Sequence, residues 1–161
     1  MTEQPELNET PPAPLEEIEG VVDKAEGKDV KINDSAVGAV NAQGNVDIDD
    51  SFVGAVAAGQ NVTLSNGGAF AIAAGSNIEL SNGGAFTLHA GKDMRIENGG
   101  GNLLACQQAF VENSSIGVLL ANEAKLGEGV KVMMTSAQAI AFGAAFGAAA
   151  AVFGYLLRRR R

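Results

Sequence analysis

The sequence has no Trp, one Tyr, one Cys, one His and only four Pro. Aromatic residues make up 5% of the chain although hydrophobic residues reach 46%, so Ala, Val and Leu carry the apolar content. A chain of 161 residues with so few large side chains cannot fill a wide globular core, and its fold has to be thin, repetitive or partly in a membrane. One Cys excludes an internal disulfide and a multi-cysteine metal site. Eleven Lys and Arg against nineteen Asp and Glu give a net charge of −8. That balance lacks the general basic footprint that binds phosphates, so no nucleic-acid partner is expected. Catalytic chemistry is also missing. No pair of carboxylates stands apart from the repeat described below, and no cofactor motif is present. The expectation is a protein that is not an enzyme and has no cofactor.

What the chain does have is unevenly placed. Residues 1–26 are rich in Glu and hold all four Pro, and they read as a disordered acidic tail, available for binding other proteins. The start, Met1-Thr2-Glu3-Gln4-Pro5, shows neither the basic nor the apolar region of a signal peptide. From Val132 to Leu157 no residue is charged, and Arg158, Arg159, Arg160 and Arg161 follow. As a helix that span would be about 39 Å long, against about 30 Å for a hydrocarbon core. It reads as a transmembrane helix, with Tyr155 at interfacial depth and Gly143 and Gly147, extended by Ala139 and Ala151, as a small-residue face for helix pairing. The arginines are the membrane-surface charge. The expected location is thus a membrane, through a single C-terminal pass. The positive-inside rule keeps the arginines in the cytoplasm and the rest of the chain outside. The length of chain ahead of the hydrophobic segment favours the opposite, tail-anchored orientation, with the body cytoplasmic. In a third arrangement the arginines bind anionic headgroups.

Residues 27–131 are a repeat of about sixteen residues, the signature of a solenoid. Blocks from Gly27 read GKDVKINDSAVGAVNA, QGNVDIDDSFVGAVAA, GQNVTLSNGGAFAIAA, GSNIELSNGGAFTLHA and GKDMRIENGGGNLLAC. A fifteen-residue block, QQAFVENSSIGVLLA, and a partial one follow. One column is Val30, Val46, Val62, Ile78 and Met94. Two residues on it is Ile32, Ile48, Leu64, Leu80, Ile96 and Val111. This period of two marks a short strand with one inward face. Val40, Val56, Ile72, Leu88, Leu104 and Leu119 mark a second. Between them lies a corner ladder, Asp34, Asp50, Asn66, Asn82, Asn98 and Asn113, of the residue types that tolerate left-handed backbone. Ala42, Ala58, Ala74, Ala90, Cys106 and Ala121 form an all-small column, which suits a narrow interior and makes Cys106 a buried, inert thiol. His89 falls in a column of small or polar residues and reads as surface. Asp34, Asp47, Asp49 and Asp50 cluster across two rungs but lack the run that binds Ca²⁺ in some β-helices, so no metal site is expected.

Sixteen residues are too few for a strand–helix repeat and suit two or three short strands. The fold class is therefore all-β: a parallel β-helix of six to seven rungs, about 4.8 Å apart, with a core of stacked Val, Ile and Leu. Hairpins eight residues apart in an antiparallel sandwich would also give this period, but a sandwich does not require column identity across six rungs.

The strands of the Val46-Asp47-Ile48 type, the Gly-x-Asn that recurs before them and the tail from Pro5 to Pro14 resemble the bactofilins, polymer-forming bacterial cytoskeletal proteins. The likeness covers residues 27–131. It implies end-to-end stacking of rods into non-polar filaments at a membrane, without nucleotide. Here the rungs are slightly shorter and the hydrophobic segment is C-terminal. GKDMRIENGG and NVTLSNGG also resemble rungs of filamentous-haemagglutinin-type adhesins, which are much longer. The leading expectation is a membrane-anchored structural or scaffold protein whose β-helix self-associates, with itself and the bilayer as partners. The alternative is a surface-exposed or virion-associated stalk or adhesin held by the same anchor.

Overall fold

The computed structural model describes residues 16–135 and Gln138. They form twelve strands: β1 (Glu16–Gly27), β2 (Val30–Ala42), β3 (Val46–Asp49), β4 (Phe52–Ala58), β5 (Val62–Ser65), β6 (Gly68–Ala74), β7 (Ile78–Ser81), β8 (Gly84–Ala90), β9 (Asp93–Glu97), β10 (Gly100–Glu112), β11 (Ser115–Leu126) and β12 (Lys131–Thr135). Strands follow one another around a turn and pair, always in parallel, with the strands of the turns before and after. The result is a parallel β-solenoid of about seven turns with about sixteen residues per turn.

The inward pattern of one turn explains its cross-section. Val46 and Ile48 alternate inward along a first side. Ser51 and Val53 turn in on a second, and Val56 and Ala58 on a third. The step from Val53 to Val56 breaks the strict alternation, so β4 bends near Gly54. The same break in alternation recurs one and two turns on, where Phe70 and Phe86 occupy the register position of Gly54. Each turn is thus a narrow triangle whose centre holds about six small or branched side chains.

Register carries the columns from turn to turn. Val46 pairs with Val62, Val62 with Ile78 and Ile78 with Met94. Ile48, Leu64, Leu80 and Ile96 pair likewise, as do Val56, Ile72, Leu88, Leu104 and Leu119. Each column is buried over its whole length, and together they form one continuous core. Asp34, Asp50, Asn66, Asn82, Asn98 and Asn113 all have positive φ, between 45° and 52°. Here the chain turns from the first side to the second, and the short polar side chain makes the left-handed backbone tolerable.

Two boundaries differ from the sequence reading. The composition reads residues 1–26 as a disordered tail, but from Glu16 the chain is already a strand. Glu16 pairs with Val30 and Ile18 with Ile32, and after a bulge at Glu19–Gly20 the register moves to Gly20 opposite Ser35. Ile18 and Ala25 are buried against the next turn. This turn is shorter than sixteen residues, and Gly20 (φ 93°) takes its corner in place of Asn, which hid it from a fixed-period alignment. The Pro-rich stretch from Pro5 to Pro14 lies outside the described residues. At the other end, the uncharged run reads as a transmembrane segment from Val132, but Lys131–Thr135 form β12. Val132 pairs with Ile116 and packs against the core, and Met134 pairs with Val118. These residues keep the alternation of the turn beneath them and extend its ladder. The remainder of the expected helix, including Ala139, Gly143, Gly147, Ala151, Tyr155 and Leu157, and the Arg158–Arg161 cluster lie outside the described residues. Among the described residues no helix is long and apolar enough to cross a membrane.

Candidate functional site: three faces and two ends

The outward columns divide the solenoid into unlike surfaces. On the first side the outward positions are Lys31, Asp47, Thr63, Glu79, Arg95, Phe110 and Lys125, stacked in register. This face mixes charges of both signs. The Arg95 guanidinium lies over the Phe110 ring, 4.8 Å from its centroid, and bonds Glu97. That bond and the charge of Glu97 hold the Arg95 pKa above its ordinary value. Around it Asn77, Asp93, Gln108 and Lys125 line a depression of about 330 Å³.

Two polar ladders run along the corners. At the first, Asn66 donates to the Asp49 carboxylate and Asn82 to the Asn66 side-chain oxygen, each at 3.4 Å. The second sits where each turn closes. The Asp29 carboxylate accepts from the Asn45 backbone at 2.7 Å, the Asn45 oxygen from Asn61, the Asn61 oxygen from Asn77 and the Asn77 oxygen from Asp93. Side chains here satisfy the backbone N–H of the following turn, which a corner would otherwise leave unmade. The sequence carried a signal for this ladder, the recurring Gly-x-Asn, but its role as a backbone acceptor was not read from it. A third device is inside: the Ser51 hydroxyl accepts from Ser35 N at 2.9 Å and donates to the Asp49 carbonyl at 2.6 Å.

The second and third sides are different. Residues 36–42, 52–58, 68–74, 84–90, 100–106 and 115–121 contain no Asp, Glu, Lys or Arg. Phe52, Phe70, Phe86, Leu103 and Leu120 are exposed there among alanines. His89 is exposed on this surface too. Phe70 and Phe86 stack with parallel rings and centroids 5.2 Å apart. Cys106 lies in the inward small column but is only half-buried, at the position where one turn loses a residue: His89 is opposite Ala105, yet Asp93 is opposite Gln108. Burial, with a smaller contribution from the Asp93 charge, pushes its thiol pKa up to about 11, which suppresses the reactive thiolate.

Each end presents an edge. Among the described residues β1 is paired only with β2, and β12 only with β11. Asp34, Asp47, Asp49 and Asp50 do not converge, and among the described residues no three His, Cys, Asp or Glu stand close enough to hold a metal ion. Comparison with protein-family models, curated proteins and solved structures returns no match.

Proposed function

We propose that this chain is a structural protein whose solenoid self-associates, stacking end to end without nucleotide to scaffold a membrane surface to which the apolar C-terminal segment anchors it. The observation that supports the reading best is the pair of edges. In the described residues the outer rows of β1 and β12 carry backbone donors and acceptors facing no further turn, and such rows template pairing with another chain. The regular register supports it as well, because each turn is already shaped to accept a parallel neighbour at strand spacing. The likeness to bactofilins points the same way. The anchor on this reading begins after Thr135, since Val132 belongs to a strand, and the acidic residues ahead of Glu16 remain a contact for other proteins. The alternative, a stalk or adhesin on a cell or virion surface, draws on the arginine cluster, which the positive-inside rule would retain in the cytoplasm.

Negative-stain microscopy of the full-length chain, in detergent and on vesicles over a concentration series, tests the reading. Rods or filaments several times the length of one solenoid are expected. Seven turns span only about 34 Å at strand spacing, so even a three-copy stack is distinguishable. Particles that stay one solenoid long at every concentration would sink the polymer. Protease added to intact cells separates the two settings, since only the stalk reading predicts loss of the solenoid.

A further inference from the structure

The two ends of the solenoid differ in charge and in what they leave uncovered. One core column starts at Ile18, passes through Ile32, Ile48, Leu64, Leu80, Ile96 and Val111, and ends at Leu126. Its six middle members are fully buried, but Leu126 is 46% exposed, because among the described residues no turn lies over it. A second inward column starts at Val22 and ends at Val132, both partly buried. The outward column next to the first starts at Glu17 and runs through Lys31, Asp47, Thr63, Glu79, Arg95 and Phe110 to Lys125. Opposite charges follow one another in it, at Glu17–Lys31, Lys31–Asp47 and Glu79–Arg95. Lys125 closes it, 72% exposed and 3.9 Å from Glu123 in its own row. The end rows as wholes are unlike too. Residues 16–27 hold five acids and one Lys, a net charge of −4, while residues 123–135 hold two acids and two Lys.

We infer that the solenoids stack head to tail, the first turn of one copy on the last rows of another, so that the filament is polar. This rests on the end-stacking reading and adds its direction. The columns fix the junction residue by residue. A second copy added in register sets its Ile18 on the exposed Leu126, its Val22 on Val132 and its Glu17 over Lys125. The core columns then run on from copy to copy. So does the charged column, in which Lys125 comes to lie between Phe110 below and an acid above. Val21 falls over Lys131 and Asp23 over Met133, which opposes no like charges. The copies do not compete for one row either, since β12 stops at Thr135, short of the position above Ala124 that Glu16 of the second copy takes. A head-to-head contact has none of this. It sets a net −4 against a net −4, and like charges across paired strands are unfavourable. Its two-fold axis also makes the facing strands antiparallel and breaks every column. The non-polar filament that the bactofilin likeness implies needs that contact at every second junction, so the end charges select the polar filament. A head-to-tail contact is heterologous, leaves the same two ends open on each addition and does not close.

Disulfide cross-linking of the full-length chain in detergent tests the direction, in a Cys106→Ser background. Glu17 and Lys125 stand seven turns apart, about 34 Å at strand spacing, so a disulfide between these positions has to join two copies. A mixture of Glu17→Cys and Lys125→Cys should give disulfide dimer, neither variant alone more than a trace, and a chain carrying both substitutions a ladder of multimers. Charge reversal gives a second readout. Glu17→Lys and Lys125→Glu should each raise the concentration needed for assembly roughly 10-fold, as an attractive cross-strand pair becomes a repulsive one. Mixing the two variants should restore assembly, because each then meets its complement, and that rescue separates a junction effect from misfolding. Glu17 also accepts a bond from Asn33; should Glu17→Lys misfold, the exposed Lys125→Glu keeps the test. Glu17→Cys joining itself as readily as it joins Lys125→Cys would overturn the polarity, and so would a folded Glu17→Lys variant that assembles like the wild type. Lys125→Cys shielded from a water-soluble maleimide in dilute, monomeric protein would show the chain's own residues after Thr135 lying over this row, and would overturn the junction. Filaments without the mixed cross-link would leave end stacking standing and remove its direction; no assembly at any concentration would remove both.

Discussion

The corner ladder makes the sharpest stability prediction, because its cost can be worked from backbone geometry. Asn82 sits at φ 52°, in the left-handed region, between Asn66 at 49° and Asn98 at 51°. For an ordinary L-residue that conformation costs roughly 1–2 kcal/mol, which Asn reduces by local hydrogen bonding. Its amide also donates to Asn66, but at 3.4 Å and exposed to solvent, which places that bond at the low end of the usual ~0.5–1.5 kcal/mol. Asn82→Ala should therefore lose about 1–2 kcal/mol. Asn82→Gly removes the strain but gives the unfolded chain more freedom, a term of about 0.4–1 kcal/mol in the other direction, so it should fall near neutral. Asn82→Val has a β-branched side chain in left-handed backbone and should be worse than Ala. Urea unfolding of the full-length variants, followed by circular dichroism, gives the order directly: wild type and Gly together, then Ala, then Val. A Val variant as stable as the Gly variant would show that the corner does not hold a positive φ, and the triangular turn derived from it would fall.

Leu80 is fully buried between Leu64 and Ile96, so Leu80→Ala should lose about 2–5 kcal/mol in the same denaturation assay. Ile18, in the first described turn and 8% exposed, should lose less on truncation to Ala, because among the described residues only one turn neighbours it. Gly83→Ala puts a Cβ 2.8 Å from Leu64 Cδ2 and against the Gly67 carbonyl; a drop of roughly 1–3 kcal/mol is expected by overpacking, read as a lower urea midpoint. With its thiol pKa raised to about 11 from 9.0, Cys106 keeps its proton in the folded state at pH values where the unfolded chain has lost it. Stability should therefore be unaffected below about pH 9 and fall between 9 and 11. Cys106→Ser should remove that part of the slope, and iodoacetamide at pH 8 should label native protein far more slowly than unfolded protein.

Much of this fold was legible because a solenoid repeats its physics in its sequence. Val46, Val62, Ile78 and Met94 stack because each turn poses the same packing problem, and period sixteen writes the answer in columns. Where the period or the residue type changes, legibility fails for a physical reason. The column Val37, Val53, Ala69, Ala85 and Ile116 is as buried as the others. It did not read as a column because Ala69, Ala85 and Gly101 interrupt the run of branched residues. The first turn escaped because Ile18 lies fourteen residues before Ile32, and Gly20 stands where an Asn was expected. Val132 was absorbed into a hydrophobic run, since a strand end and an apolar helix share residue types and differ only in pairing.

The apolar sides were visible in the sequence as a stretch without charge, but their meaning was not. Which alternate residues point outward depends on the break in alternation after Val53, and the residues at that position, Gly54, Phe70 and Phe86, share no residue type that would announce it. Before that bend is known, Phe52 and Phe70 have the same standing as core candidates. After it, Val53 and Ala69 fill the interior and the rings are left outside, at 61% exposure each. A narrow triangle has no room for aromatic rings within it, so the scarcity of aromatics and their exposure have one cause. Exposing Phe52, Phe70 and Phe86 is costly for an isolated solenoid, at about 25 cal/mol for each Å² of apolar surface left in water. The three rings lie only on the sides that carry no charge in six turns. The division of labour follows: charged columns keep the first side in water, asparagine and aspartate close the corners, and the rings are left outside an interior too narrow to hold them.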